Sequence, residues 1–421
     1  MTERVTITRF GAKGDGIAET PQGLLYVPRG IPGDVIEVDT AYGEPVIAKI
    51  VTPSPHRIAA HCALFGICGG CAMQEVDAPT YAAWKRGLVV TALKPILDET
   101  HIAPLIDAHG RGRRRVTFHA RRLASGMTVG FMRAKSHDLV GVEECPVLVP
   151  ELQRAPDVAT RLASTLASSD KPLDIAVTAT RGGLDVDLRG HGPAAPSLRK
   201  KLVEQAERLG LARLTLHGDL IIEREKAEIE MGPSRMLLPS GAFLQATEEG
   251  EAQLAKAVMT ALPERGMIAD LFSGLGTFAL RIAERLPVHA VESEANATAA
   301  LTRAMRDTQG LKPLTIETRD LFRRPLNGAE LNEYEAIVID PPRAGAEAQM
   351  GFIAKSKVPR VISVSCHLGS FVRDAEILIK GGYRLLSVTP IDQFRHSAHI
   401  ELVGIFDKPV EKIKKTRRLL G

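Results

Sequence analysis

Five cysteines account for most of the chemistry open to this chain. Cys62, Cys68 and Cys71 form C-x5-C-x2-C with Gly69 and Gly70 in the tighter turn, and Cys145 follows in GVEECPVLVP. Four thiolates suit either zinc or an iron-sulfur cluster, and a Cys-Pro after a long gap favours the cluster. Radical adenosylmethionine enzymes typically use C-x3-C-x2-C and leave one iron open. Here the spacing differs and a fourth ligand is at hand, so a cluster would be structural or positioning rather than the reaction centre.

The fifth thiol, Cys366, ends the apolar run RVISVS and precedes a helix expected to start near Gly369. A helix N-terminus can favour thiolate, which makes Cys366 a candidate nucleophile; the alternative is an inert buried cysteine. Such a nucleophile needs a proton acceptor, and Glu401 in HIELVGIF is a carboxylate on an otherwise apolar run. His396 and His399 are equally available, and the residues alone do not rank the three.

A second site lies in MIADLFSGLGTFAL. Asp270 ends an apolar run, and Gly274 and Gly276 form a turn before a helix, allowing a ligand to approach the backbone closely. Glu292 follows 22 residues beyond Asp270, suited to ribose hydroxyls, and Asp340 opens Asp-Pro-Pro-Arg at 340–343. A nicotinamide site would carry a third glycine, absent here. Glu292 and Asp340 in register on successive strands favour S-adenosyl-L-methionine.

The elements that must hold these residues are legible as three regions. Residues 1–55 alternate short apolar runs with Gly and Pro turns, which reads as a five-stranded OB-like β-barrel. Phe10, Tyr26 and Tyr42 are its few stacking residues. Residues 56–240 mix strand-like runs (RVTFHA, TVGFMRA, DIAVTAT, LDVDLRG) with helices and form an α+β region, interrupted by a helix at about 79–97 that would pack on the catalytic domain. Residues 241–421 alternate strand and helix, predicting a parallel doubly wound α/β sheet with a reversed last strand, the class I (Rossmann-like) methyltransferase arrangement.

Composition narrows the class. The chain has 421 residues, 44% hydrophobic and 25% charged, with 54 Lys and Arg against 50 Asp and Glu, which suggests several folded domains. The net charge of +4 is too mild to establish a nucleic-acid partner. Its distribution points further: Arg111, Arg113, Arg114, Arg115, Arg121 and Arg122 cluster, and Lys412, Lys414, Lys415, Arg417 and Arg418 end the chain. Both are expected to face phosphates. MTERVTITRF has no apolar core of signal-peptide length and no apolar span is long enough to cross a bilayer, so the expectation is cytoplasmic, with no membrane partner.

Taken together, the cysteine pattern, DLFSGLGTF, DPPR, SVSCHLGSF and HIELV resemble the RNA uracil-C5 methyltransferases, specifically the iron-sulfur branch acting on 23S ribosomal RNA, over nearly the whole chain. The resemblance implies a TRAM-type N-terminal barrel and a [4Fe-4S] cluster on Cys62, Cys68, Cys71 and Cys145. It further implies adenosylmethionine contacts at Gln245, Phe272, Thr277, Glu292, Asp320 and Asp340, with Cys366 as nucleophile and Glu401 selected over the histidines as base. Ser273 stands where members often carry Cys, and Thr277 and Asp320 where Asn occurs. The implied substrate is 23S rRNA, on the expectation that transfer-RNA enzymes lack the barrel and cysteine-bearing additions. The alternatives are a tRNA T-loop enzyme, a non-catalytic iron-sulfur RNA-binding protein, or an amino-group methyltransferase. The last usually carries an aromatic residue where this chain has Arg343.

Overall fold

A computed structural model describes residues 2–41, 45–123, 126–166 and 171–409; Tyr42 and the basic C-terminal residues lie outside them. The N-terminal strands are β1 (Thr2–Phe10), β2 (Gly16–Thr20), β3 (Gly23–Val27), β4 (Val35–Asp39) and β5 (Val46–Thr52). They form one antiparallel sheet in the order β3-β2-β1-β4-β5. Alternation puts Val5 and Ile7 of β1 inside, against Ala18, Val27, Ile36 and Val38. No ladder joins β3 to β5 among the described residues. Phe10 packs edge-on against Trp84, 6.1 Å between ring centres, whereas Tyr26 is half-exposed.

Helix α1 (Ala78–Leu93) starts where the Asp77 side chain accepts the Thr80 N–H at 2.8 Å. It stops at Leu93, short of the expected Leu97, because Pro95 cannot continue the backbone ladder. Its first turns carry Tyr81 and Trp84 into a small core with Ile31, Met73 and Val76, while Val89 and Leu93 pack into the core of the C-terminal sheet. Strand β6 (Ile106–Asp107) then joins the edge of that same sheet. Residues 78–107 are therefore built into the C-terminal unit although they precede the central one in the chain.

The central unit contains β7 (Arg115–Leu123), β8 (Gly126–Met132), β9 (Leu139–Gly141), α2 (Ala155–Thr165), β10 (Leu173–Thr180), β11 (Gly183–Arg189), α3 (Pro196–Arg208), β12 (Arg213–Leu216) and β13 (Asp219–Glu223). Its sheet runs β13-β12-β11-β10-β7-β8-β9. Phe118, Ile175 and Val186 pack beneath Val158 and Leu162 of α2 and Leu202 of α3. The arginine run does not form one phosphate-facing surface. In the turn leading into β7, Arg111 is exposed and pairs with Glu151 at 2.7 Å, but Arg114 is buried at 3% exposure, where it meets Glu251 at 2.5 Å.

After the hairpin β14 (Glu228–Met231) and β15 (Ser234–Leu237), the chain winds through α4 (Glu248–Ala261), β16 (Ile268–Leu271), α5 (Ala279–Ala283), β17 (Val288–Glu292), α6 (Ala295–Asp307), β18 (Leu314–Thr318), α7 (Gly328–Leu331), β19 (Ala336–Ile339), α8 (Glu347–Lys355), β20 (Arg360–Ser365), α9 (Leu368–Lys380), β21 (Arg384–Asp392) and β22 (Glu401–Asp407). The sheet order is β18-β17-β16-β19-β20-β22-β21-β6. Strands β16 to β20 are mutually parallel, and β22 enters antiparallel between β20 and β21. The four-residue apolar strands β16 and β19 are wholly buried, as strands covered by helices on both faces must be. Order reverses between β16 and β19, which opens a crevice at their carboxyl ends, the usual ligand position in such sheets. Among the described residues no helix is long and apolar enough to cross a membrane.

Candidate functional site

The glycine turn follows β16 at that crevice. Phe272, Gly274 and Gly276 all have positive φ, at 60°, 53° and 88°. A Cβ on Gly276 would lie 2.3 Å from Leu301 Cδ1, so helix α6 demands a glycine there, whereas a Cβ on Gly274 would meet nothing within 4 Å. Glu292 at the end of β17 braces the turn: its Oε2 accepts the Gly274 N–H at 2.9 Å and its Oε1 the Glu294 N–H at 2.9 Å. Asp320, after β18, accepts the Phe322 N–H at 2.9 Å, and the half-exposed Phe322 ring lies 5.3 Å from that of Phe272.

The turn also carries polar atoms that the protein leaves unsatisfied. Asp270 is fully buried, and neither carboxylate oxygen, nor the buried Ser273 Oγ, finds a hydrogen-bond partner among the described residues. Burial pushes Asp270 up to about 8; the facing Ala279 amide offsets part of this and the Glu292 charge adds to it. Orphaned polar atoms beside an open glycine cradle are the features expected of a site that binds a polar, cationic ligand, and these residues fit adenosylmethionine.

Next to the turn, Asp340 follows β19 and its N–H bonds the Leu271 carbonyl at 3.2 Å. Its carboxyl is held well above the usual range by burial and then by the charges of Glu401 and Asp270. Cys366 follows β20, just before His367, whose ring accepts the Ser370 N–H at the start of α9. The surroundings of Cys366 oppose the thiolate that a helix N-terminus favours. Burial raises the thiol, the Glu401 and Asp340 charges raise it further, and only Arg343 and a backbone hydrogen bond oppose them.

Glu401 opens β22 and is 4% exposed, so it is not the solvent-facing strand residue its alternation permits. Burial pushes it up to about 7, against a hydrogen bond from Gln393 and the Arg343 charge. Arg343 is within 3.0 Å of the His399 ring, which burial and that cation hold below its ordinary value. His396 turns elsewhere, its Nδ1 3.2 Å from the Met73 carbonyl oxygen and its ring 5.0 Å from that of His61.

Several members of this neighbourhood had no sequence signal strong enough to single them out. Gln393 is buried between Glu401 and Gln245 in the β21–β22 connection. Lys85 is buried on α1, its Nζ 2.5 Å from Asp392 Oδ1 and 2.9 Å from Tyr81 Oη. A lysine on the apolar stripe shared with Tyr81 and Trp84 was the available hint. Phe243 is largely exposed beside Gln245, with the Arg115 guanidinium 5.2 Å from its ring centre.

Cys62, Cys68, Cys71 and Cys145 line one cavity of about 470 Å³. None is in a disulfide, and no three His, Cys, Asp or Glu among the described residues are arranged to hold a metal ion. Burial raises Cys68 and Cys71 and pushes Cys145 up to about 11, and the thiols of the set raise one another. The loop is pinned to β8 by the Gly69 N–H on the Met132 carbonyl, 2.9 Å, and to the β21–β22 connection by the Ala72 N–H on the His396 carbonyl, 2.7 Å.

No protein-family model matches the chain. An uncharacterized RNA methyltransferase of Brucella melitensis is 44% identical over 407 residues, spanning 97% of this chain and 98% of its own. Another, from Caulobacter vibrioides, is 40% identical over 414 residues, 96% and 99% of the two chains. A 23S rRNA (uracil(1939)-C(5))-methyltransferase of Cronobacter sakazakii is 29% identical over 432 residues, 96% of each. Among solved structures, the Pyrococcus abyssi tRNA (uracil-54, C5)-methyltransferase in complex with S-adenosyl-L-homocysteine superposes with a TM-score of 0.75 at 20% identity, covering 96% of this chain and 99% of that one. That overlap corrects one expectation: a transfer-RNA enzyme has the same whole-chain architecture, so the regions ahead of the catalytic sheet do not mark an rRNA enzyme.

Proposed function

The chain belongs to a family of RNA methyltransferases, and from that premise we propose that it methylates carbon 5 of a uridine with Cys366 as nucleophile and Glu401 as base. The observation that carries this reading is the sheet register, which sets Asp340 and Arg343 after β19, Cys366 after β20 and Glu401 at the start of the antiparallel β22 along one edge, beside β16 and its unsatisfied Asp270.

Uracil carbon 5 is a poor nucleophile. Cys366 must first lose its proton, a loss that the Arg343 charge favours; the thiolate then adds to carbon 6, and the displaced electron pair makes carbon 5 electron-rich. Adenosylmethionine, when bound, would supply the methyl group; Gln245, Phe272, Gly274, Gly276, Thr277, Glu292, Asp320 and Asp340 would hold it. The Glu401 carboxylate then takes the carbon 5 proton, the carbon 5–carbon 6 double bond re-forms and the Cys366 thiolate leaves. A base raised to about 7 suits this step, because it is part-ionised near neutral pH and basic enough to accept the proton. A paired uridine must be flipped from its stack to reach Cys366.

We assign the target to 23S rRNA on the name of the Cronobacter relative, which spans the chain from end to end. The four thiols, which line one cavity, would hold a [4Fe-4S] cluster. Its role would be structural, holding the loop that carries Ala72 against the β21–β22 connection.

Trapping tests the covalent pathway. Glu401→Gln should methylate the base and accumulate a protein–RNA complex stable on denaturing gels, while Cys366→Ala should form none. An adduct in Cys366→Ala would remove that residue from its role.

A further inference from the structure

We propose that Gln393 is a positioning residue for the base, its carboxamide bridging Glu401 to Gln245 on the cofactor side. The inference rests on Glu401 being the base, as argued above. Gln393 is completely buried. Its Nε2 donates to Glu401 Oε1 at 3.0 Å and to Gln245 Oε1 at 2.6 Å, and its Oε1 accepts the Thr247 N–H at 3.4 Å. A flipped amide would set its oxygen against those of Glu401 and Gln245, so the orientation is fixed while Glu401 is ionised.

The neighbouring residue anchors the arrangement. Asp392 is held by Lys85 at 2.5 Å and by Tyr81 at 2.8 Å, both on α1, and accepts the Phe394 N–H at 2.9 Å. The charged and titratable groups facing Glu401 are Asp340 and Arg343 after β19 and Cys366 after β20, with His399, just before β22, held by Arg343. Of these, only Arg343 joins Gln393 in favouring the carboxylate. Gln393 therefore does two things: it aims one carboxylate oxygen and it keeps a deeply buried base ionised near neutral pH.

Without that N–H, desolvation of the carboxylate is opposed by Arg343 alone and protonation becomes easier. Losing one donor to a buried charge moves its titration by roughly one pH unit; for a base near 7 this cuts the ionised fraction at pH 7 from about a half to about a tenth and slows proton removal roughly fivefold. Addition of Cys366 to the uracil does not need the Glu401 carboxylate, whose charge opposes the thiolate.

The experiment is single-turnover reaction of the full chain with a target-containing RNA transcript and adenosylmethionine from about pH 6 to about pH 9, following adduct formation and decay on denaturing gels. Gln393→Met should form adduct no more slowly than wild type and resolve it roughly fivefold more slowly at pH 7, with the rate recovering toward pH 9. Gln393→Glu, which keeps the shape but sets a second carboxylate against the first, should move the acid limb further in the same direction. An unmoved limb in both variants, or an equal loss at every pH, overturns the proposal. Glu401→Gln in parallel separates the two claims: if it turns over normally the base assignment fails, whereas if it traps adduct and the Gln393 variants behave as wild type, only Gln393 is dismissed.

Discussion

Asp270→Asn should make the ligand-free protein more stable at alkaline pH while weakening its hold on the cofactor. Asp270 sits at about 8 in the fold against an ordinary 3.8, faced by the Ala279 amide but with neither oxygen in a closed hydrogen bond among the described residues. A carboxyl whose folded value is raised binds more protons in the native state, so its contribution is intact below about pH 4 and lost as pH rises to about 8. Four units amount to about 5 kcal/mol. Asparagine cannot ionise, but buries an amide without partners at a cost of about 1–3 kcal/mol. The variant should therefore match or trail wild type near pH 5 and lead it by about 2–4 kcal/mol above pH 8, about 5–10 °C in melting temperature for a domain of this size. Scanning calorimetry of both proteins across that range measures the difference, and titration with adenosylhomocysteine measures the lost affinity. A melting difference that stays constant with pH would refute the reasoning, because the buried charge would then not be the source of the strain.

Cys145→Ser should bleach the broad absorption at about 400 nm expected of anaerobically purified protein, and a colourless preparation with one equivalent of zinc would overturn the cluster. Lys85→Met strands the buried Asp392 carboxylate and should cost about 3–5 kcal/mol. Because Asp392 precedes Gln393, it should also slow adduct resolution; thermal melting and the adduct gel read the two effects, and a loss below about 1 kcal/mol would show the pair to be dispensable.

The doubly wound sheet was legible because each buried strand is a short apolar run set off by a helical stretch, as in YEAIVID before Asp340 and RVISVS before Cys366. Strand β6 was not: two residues of pairing leave no period to detect, and what recruits them is β21, nearly three hundred residues later. The arginine run misled for a related reason. Charge density in a sequence suggests a surface, but a carboxylate supplied by α4 and the Gln245 carbonyl hold Arg114 inward. At the site, types and spacing singled out Cys366, Asp340 and the glycine turn. They left Glu401 level with two histidines, because what separates them is burial and direction: Glu401 meets Gln393, and His396 meets the cysteine loop. Gln393 itself carries no periodic or motif signal, since two of its partners, Gln245 and Thr247, lie on a segment nearly 150 residues upstream and the third, Glu401, opens β22.

The central claim is tested most directly by incubating the protein and labelled adenosylmethionine with unmodified 23S rRNA and, separately, unmodified transfer RNA, then digesting each to nucleosides for mass spectrometry. The account predicts label in 5-methyluridine from the 23S transcript and none in transfer RNA. 5-Methyluridine from transfer RNA alone would move the substrate but keep the chemistry. Label in any other nucleoside would contradict the account at its root.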